Sequence, residues 1–302
     1  MTISVVISTH NRSKSLAQTL SSVKILAQEI IVVDSGSTDD TVKVAKKFTA
    51  QVYTRPNNLM LNVNKNFGFT KATGDWILNL DDDEEVPPEL AKEIRESLRY
   101  VPSSVVGFWI PRKNIIFGRW IKHGLWWPDR QLRLFRRGEG AFPEKHVHEY
   151  LAVTGITKTL DTPYIHHNYD SIAQYLGKME EIYTESEIQR YTLANYQVTW
   201  HDAIRFPASD FLKIYFAQSG YKDGLHGLVL ALLQSFYSFI IFAKLWEKKQ
   251  FAEQEITLRD VRQELTRSGR ELSYWVTTAR MHDASNPLKR FWYKLLRRYG
   301  RS

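Results

Sequence analysis

An α/β fold built on a mostly parallel sheet is what the amino-terminal third of the chain predicts. Three observations carry that prediction. Short apolar runs alternate with stretches of helical spacing from Ile3 to Leu80. Three polar clusters, Thr9–Arg12, Asp34–Asp39 and Asp81–Asp83, sit just beyond the first, second and last of those runs. The remainder of the chain, from about residue 171, changes character to long helical, apolar and basic segments.

Ile3 to Ser8 reads as a buried strand that breaks at the polar turn Thr9-His10-Asn11-Arg12. Leu16, Leu20 and Val23 then recur at helical spacing. Glu29 to Val33 is a second strand, running straight into Asp34-Ser35-Gly36-Ser37-Thr38-Asp39-Asp40. That turn is rich in helix-capping residues and opens a helix carrying Val42, Val44, Ala45 and Phe48. Gln51 to Tyr53 is a weak third strand, and Asn62 to Thr73 reads as a helix despite Gly68. Gly74-Asp75 turns the chain into the apolar strand Trp76 to Leu80, which delivers Asp81-Asp82-Asp83 to a sheet edge. A new helix starts near Pro87. Strand and helix in strict alternation imply right-handed crossovers and parallel pairing.

In open α/β sheets ligands bind outside the carboxyl ends of the strands, where all three polar clusters fall. Neither GxGxxG nor GxxxxGK[ST] occurs, which argues against dinucleotide oxidoreductases and P-loop enzymes. Short polar side chains and carboxylates suit a base and ribose instead. Crowded aspartates repel one another unless a cation neutralises them, and hard oxygen donors suit Mg²⁺ or Mn²⁺ with substrate phosphates. A solvated acidic turn capping the next helix is the bland alternative.

Several spaced motifs resemble family 2 glycosyltransferases. They are Val5-Val6-Ile7-Ser8-Thr9-His10-Asn11, Ile31-Val32-Val33-Asp34-Ser35-Gly36-Ser37-Thr38-Asp39, Lys65-Asn66-Phe67-Gly68, Ala72-Thr73-Gly74-Asp75-Trp76 and Leu80-Asp81-Asp82-Asp83-Glu84. The family consists of inverting enzymes of GT-A fold, with a Rossmann-like sheet, that use nucleotide-sugar donors. Phe117-Gly118-Arg119-Trp120, Trp127-Pro128-Asp129, Gln131 to Arg136, Val147-His148-Glu149, Asp223 to Gly227 and Lys244-Leu245-Trp246-Glu247 are similar to the bacterial lipopolysaccharide-core β-glucosyltransferase branch. Arg12 stands where a Glu is often found there, and Asp82 replaces a frequent Ala of the DxD pattern.

The resemblance implies a UDP-hexose donor and a lipid-linked oligosaccharide acceptor. It places the nucleotide against Thr9, Asn11, Arg12, Asp34, Ser37, Asp39, Lys65, Asp81 and Asp82. It assigns the metal, Mg²⁺ or Mn²⁺, to Asp83, Asp81 and His148. Glu149 is the expected general base, with Glu144 as runner-up, and a surface ion pair is the alternative role for Glu149. Trp126, Trp127 and Arg133 are expected on the acceptor side, Arg133 pairing either with a phosphate or with a structural carboxylate. Transfer to polyprenyl phosphate, another glycolipid or a protein is the competing enzymatic reading. A nucleotide-sugar or RNA-binding module is the non-catalytic one.

The chain has 302 residues, no cysteine and a net charge of +8. Disulfides and thiolate metal sites are therefore excluded. The start, Met1-Thr2-Ile3-Ser4, lacks a basic n-region, and its apolar run is too short for a signal peptide. A catalytic domain is expected over residues 1–170, with a nucleotide-binding half (1–100) and an acceptor-side half (101–170), followed by a helical region over 171–302. Within the latter, Leu225 to Ala243 is nearly free of charge and approaches the roughly 20 residues that a bilayer span requires. It reads as a helix in or against a membrane, although a core helix or an oligomer interface would carry the same pattern. Residues 286–302 hold six cations and no acid, interleaved with aromatic residues. An anionic membrane surface is the expected partner, with nucleic acid the less favoured one. The expected location is the inner face of a bacterial inner membrane.

Overall fold

The computed structural model describes residues 1–49, 51–57, 61–144, 149–179 and 184–299. Two compact units emerge, one comprising residues 1–120 and 127–170, the other residues 121–126 and 171–302.

In the first unit the strands and helices alternate as β1 (Ile3–Thr9), α1 (Ser13–Val23), β2 (Glu29–Asp34), α2 (Thr41–Lys46), β3 (Val52–Thr54), α3 (Leu61–Lys71) and β4 (Trp76–Asp81). There follow β5 (Glu84–Glu85), α4 (Pro88–Arg99), β6 (Val105–Ile116), β7 (Arg119–Trp120), β8 (Arg130–Arg136), β9 (Gly140–Ala141), β10 (Ala152–Val153), β11 (Ile156–Thr159) and β12 (Tyr164–Tyr169). Among the described residues the main sheet runs β3-β2-β1-β4-β8-β6-β12-β5. β1 pairs in parallel with β2 and with β4, and β2 in parallel with β3. β8 then enters antiparallel between β4 and β6, so the sheet is mixed.

Register fixes where chemistry can occur. Thr9 stands opposite Asp34 and Ser8 opposite Asp81, so three strands release their polar clusters at one edge. The centre of the sheet is dry: Val5, Val6, Ile7, Val32, Val33 and Leu78 are at most 1% exposed. Complete burial of such side chains contributes about 1.5–3 kcal/mol each. Gly68 explains why α3 tolerates a poor helix former. A Cβ there would lie 2.5 Å from Val6 Cγ1 and 3.0 Å from Val33 Cγ2, so only glycine lets the helix lie this close to the sheet.

The second unit is helical: α5 (Ile172–Lys178), α6 (Thr184–Leu193), α7 (Asp202–Phe211), α8 (Gly224–Lys248), α9 (Leu258–Asp283) and α10 (Pro287–Tyr299). α8 contains the apolar segment 225–243 and is long and apolar enough to cross a membrane. One face, with Leu230, Ala231, Ile241 and Leu245, is buried. Leu225, Leu232, Phe236 and Phe239 on the other are exposed.

Candidate active site

The turn after β2 is built by its own polar side chains. Asp34, only 1% exposed, accepts the backbone N–H groups of Gly36 and Ser37, each at 3.1 Å, while Gly36 takes a positive φ of 76°. Asn11, itself at φ 53°, accepts the Thr38 N–H at 2.8 Å and donates its own N–H to Ser37 Oγ at 2.8 Å. Asp39 accepts the N–H groups of Thr41 and Ser13 and the Thr41 hydroxyl. That hydroxyl is the main reason its carboxyl is lowered to about 2. Asn11, Asp34, Ser37 and Asp39, expected as nucleotide contacts, thus first shape the loop. Arg12 donates its backbone N–H to Thr41 Oγ1 at 2.9 Å, and Thr9 is buried at the end of β1.

The acidic cluster divides into two parts of different character. Asp81 Oδ1 pairs with Lys65 Nζ at 2.5 Å and Oδ2 with an Arg133 terminal nitrogen at 2.6 Å. Arg133 also pairs at 2.5 Å with Glu84, which is fully buried and accepts the Asp81 N–H at 2.9 Å. Burial by itself would raise the Asp81 carboxyl, but Arg133 and Lys65 outweigh it and hold it well below the usual carboxylate range. This geometry places two of the expected site residues. Asp81, expected on the metal, is committed to two protein cations. Arg133, expected on the acceptor side, is 6% exposed and lies under the cluster as its counter-charge.

Asp82 and Asp83 form the other part. Burial, then the neighbouring Asp83 charge, pushes Asp82 up to about 7, against an opposing pull from Arg12. Asp83 Oδ1 faces His166 Nε2 at 3.4 Å. The buried Asn114 amide fixes that ring: its Oδ1 lies 2.8 Å from His166 Nδ1, and its Nδ2 donates to Asp129 Oδ2 at 3.3 Å. Arg112 holds Asp129 in turn, from Nε at 2.7 Å. Because the Asp129 carboxylate only accepts, the Asn114 amide turns its oxygen to the ring, so Nδ1 donates to it and Nε2 is the nitrogen that faces Asp83. Histidines oriented this way through their second nitrogen are typical metal ligands. No group of three or more His, Asp or Glu forms a closed metal cage among the described residues. Asp83 and His166 offer an oxygen and a nitrogen donor, and substrate phosphates commonly complete Mg²⁺ sites.

His166 is a site residue that the sequence analysis did not single out. It and His167 are adjacent on β12 and point to opposite faces, so His167 turns away to Glu85 at 2.7 Å while His166 meets Asp83. His148 lies outside the described residues.

α3 connects the cluster to the expected base. Asn62, Lys65 and Asn66 share one face of this helix. Asn62 Nδ2 donates to Glu149 Oε2 at 3.4 Å, and Asn66 Nδ2 donates to Glu144 Oε1 at 2.7 Å and to the Phe142 carbonyl at 2.9 Å. Both candidate bases are therefore tethered to the helix that also neutralises Asp81. The signal for Asn62 was the polar run Asn62-Val63-Asn64-Lys65-Asn66, too polar for a helix without work for its side chains. Trp127 packs edge-on against Trp120 at 5.2 Å, with Lys113 Nζ 4.9 Å over the Trp120 ring, a surface suited to a sugar face. Trp126, expected beside Trp127, belongs to the second unit and is buried there.

Residues 4–153 match the sequence model of Glycosyl transferase family 2. An uncharacterized glycosyltransferase of Rickettsia conorii is 42% identical over 102 residues, 34% of each chain. The chain thus spans about a third of the length of that relative and of its Rickettsia prowazekii and Rickettsia felis counterparts. The lipopolysaccharide core biosynthesis glycosyltransferase LpsC of Rhizobium meliloti is 25% identical over 227 residues, covering 73% of this chain and 83% of LpsC. Among solved structures, the mannosyltransferase PcManGT from Pyrobaculum calidifontis, in complex with GDP-Man and Mn²⁺, aligns with 99% of this chain and 88% of its own. The TM-score is 0.45 and the identity 14%.

Proposed function

Through residues 4–153 the chain belongs to glycosyl transferase family 2, and from that premise we propose that it moves a hexose, glucose from UDP-glucose, onto a lipid-linked acceptor. The acceptor we propose is lipopolysaccharide core at the inner face of a bacterial inner membrane. The name of LpsC supports that acceptor class. The observation that carries the reading is the division of the acidic turn. Asp81 is neutralised by Lys65 and Arg133, while Asp82 and Asp83 crowd like charges beside His166.

In this reading Asp83 and His166 would hold Mg²⁺ or Mn²⁺. The bound ion supplies charge stabilisation to the departing nucleoside diphosphate. The loop of Asn11, Asp34, Ser37 and Asp39 presents Thr9 and its backbone to the base and ribose. Glu149, oriented by Asn62, removes the acceptor hydroxyl proton as that oxygen attacks the anomeric carbon from the face opposite the diphosphate. The anomeric centre inverts in one displacement, so no nucleophilic side chain is required. Trp120 and Trp127 stack against the acceptor.

A panel of UDP- and GDP-sugars, incubated with extracted membrane glycolipids with and without EDTA, tests this directly. Sugar transfer from a single donor, abolished by EDTA and yielding a product of inverted anomeric configuration, is expected. Metal-independent transfer, or transfer with retention, would overturn the mechanism.

A further inference from the structure

α10 is amphipathic, and its apolar face points the wrong way for a helix serving only its own protein. Leu288, Phe291, Trp292, Leu295 and Leu296 recur at helical spacing along one side. Lys289, Arg290, Lys294, Arg297 and Arg298 occupy the other. A surface helix ordinarily buries its apolar stripe. Here Leu295 is half-buried, but Leu288 is 79% exposed, Phe291 61%, Trp292 59% and Leu296 44%. Tyr293 and Arg297, from the polar side, are half-buried, and the Arg297 guanidinium sits 5.6 Å over the Tyr274 ring of α9.

We infer that α10 is an interfacial membrane helix. Leu288, Phe291, Trp292 and Leu296 enter the boundary between headgroups and acyl chains, and Lys289, Arg290, Lys294 and Arg298 meet anionic lipid phosphates. Charge complementarity selects this occupant, since residues 286–302 carry six cations and no acid. A second copy of the chain is a poorer fit, because a two-fold contact through this face would set the same cationic rim against itself. Basic helices of this pattern lie in the membrane plane with their apolar side inserted. The inference is independent of the carboxylate site, and its failure would leave the transferase reading untouched.

Flotation of the full-length protein with vesicles tests it. Binding is expected to phosphatidylglycerol–phosphatidylcholine vesicles and to be much weaker on phosphatidylcholine alone. The double variant Phe291→Ser/Trp292→Ser should lower the partition coefficient about tenfold or more, with an unchanged circular dichroism spectrum. The triple variant Lys289→Gln/Arg290→Gln/Lys294→Gln should lower it by a similar factor and flatten its dependence on salt. Undiminished vesicle binding by the apolar double variant would overturn the inference, leaving a purely electrostatic partner such as RNA. So would light scattering that shows a dimer in the parent protein and a monomer in the double variant, which would assign the face to a second copy.

Discussion

Neighbouring carboxyl groups in one turn take different fates according to their partners, and this makes their substitutions separable. Asp83→Ala should abolish Mn²⁺-dependent UDP binding in calorimetry while leaving secondary structure intact, because Asp83 stands in the turn between β4 and β5 and not within the apolar core of the sheet. Arg133→Met should act in the opposite manner. It strands the fully buried Glu84 without its cation and leaves Asp81 with Lys65 alone, and breaking such a buried pair costs about 3–5 kcal/mol, measurable by urea unfolding. Asp82 supplies a pH signature. Its folded value of about 7 lies above its ordinary 3.8, so between those values the folded state binds more protons than the unfolded one, and stability falls as pH rises. In EDTA, the parent should therefore lose stability relative to Asp82→Asn from about pH 4 to about pH 7, the two matching below that window. Equal pH profiles would refute the assignment. Glu149→Gln keeps size and hydrogen-bonding reach but removes basicity, so transfer should fall by about 10²–10⁴ with UDP affinity unchanged. If Glu144→Gln is the dead variant instead, the proton goes to Glu144.

At the scale of elements, α3 is the organiser of the site. It neutralises Asp81 through Lys65, tethers Glu149 through Asn62 and fixes the 142–144 segment through Asn66, whose Oδ1 also accepts the Phe142 N–H at 2.9 Å. Its position depends on Gly68. Alanine there would gain about 1 kcal/mol of helix propensity. The new methyl, however, meets two short, stiff valines of the central strands, and overpacking of this kind costs about 1–3 kcal/mol. Gly68→Ala should therefore be destabilising on balance and lower the transfer rate as well, because displacing α3 moves three side chains of the site at once. Thermal unfolding alongside initial rates would show both effects. An unchanged melting temperature with normal rates would mean that α3 can shift without consequence.

For the whole molecule, the excursion of residues 121–126 into the second unit matters for how the chain can be divided. The Asp223 carboxylate, 3% exposed, accepts the backbone N–H groups of His123 at 2.8 Å and Lys122 at 3.2 Å. Asp223→Ala leaves both amides without this acceptor and should cost about 1–3 kcal/mol. A fragment ending at Asp170 lacks Asp223 altogether, so it should unfold at lower temperature than the full chain, with residues 121–126 readily cleaved by protease. A fragment as stable and as protease-resistant as the parent would contradict this.

The sequence by itself determined the alternation of the first four strands with their helices, the common edge at which Thr9, Asp34 and Asp81 emerge, the family, and the helical apolar and basic segments beyond residue 171. These are properties of local periodicity and turn chemistry, written within a few residues of where they act. Tertiary structure decided the partnerships. Arg133 reaches Asp81 across 52 positions, Asn62 reaches Glu149 across 87, and Asn114 reaches His166 across 52. β8 inserted antiparallel beside β4 sets the first of those distances, and β12 brought alongside β6 sets the last. The same holds for burial. Trp126 and Trp127 are adjacent and chemically identical, yet the chain passes from one unit to the other between them. The spacing of α10 revealed two faces, but only packing showed that the apolar one is turned outward, because a helix pattern fixes which residues share a side and not which side meets protein.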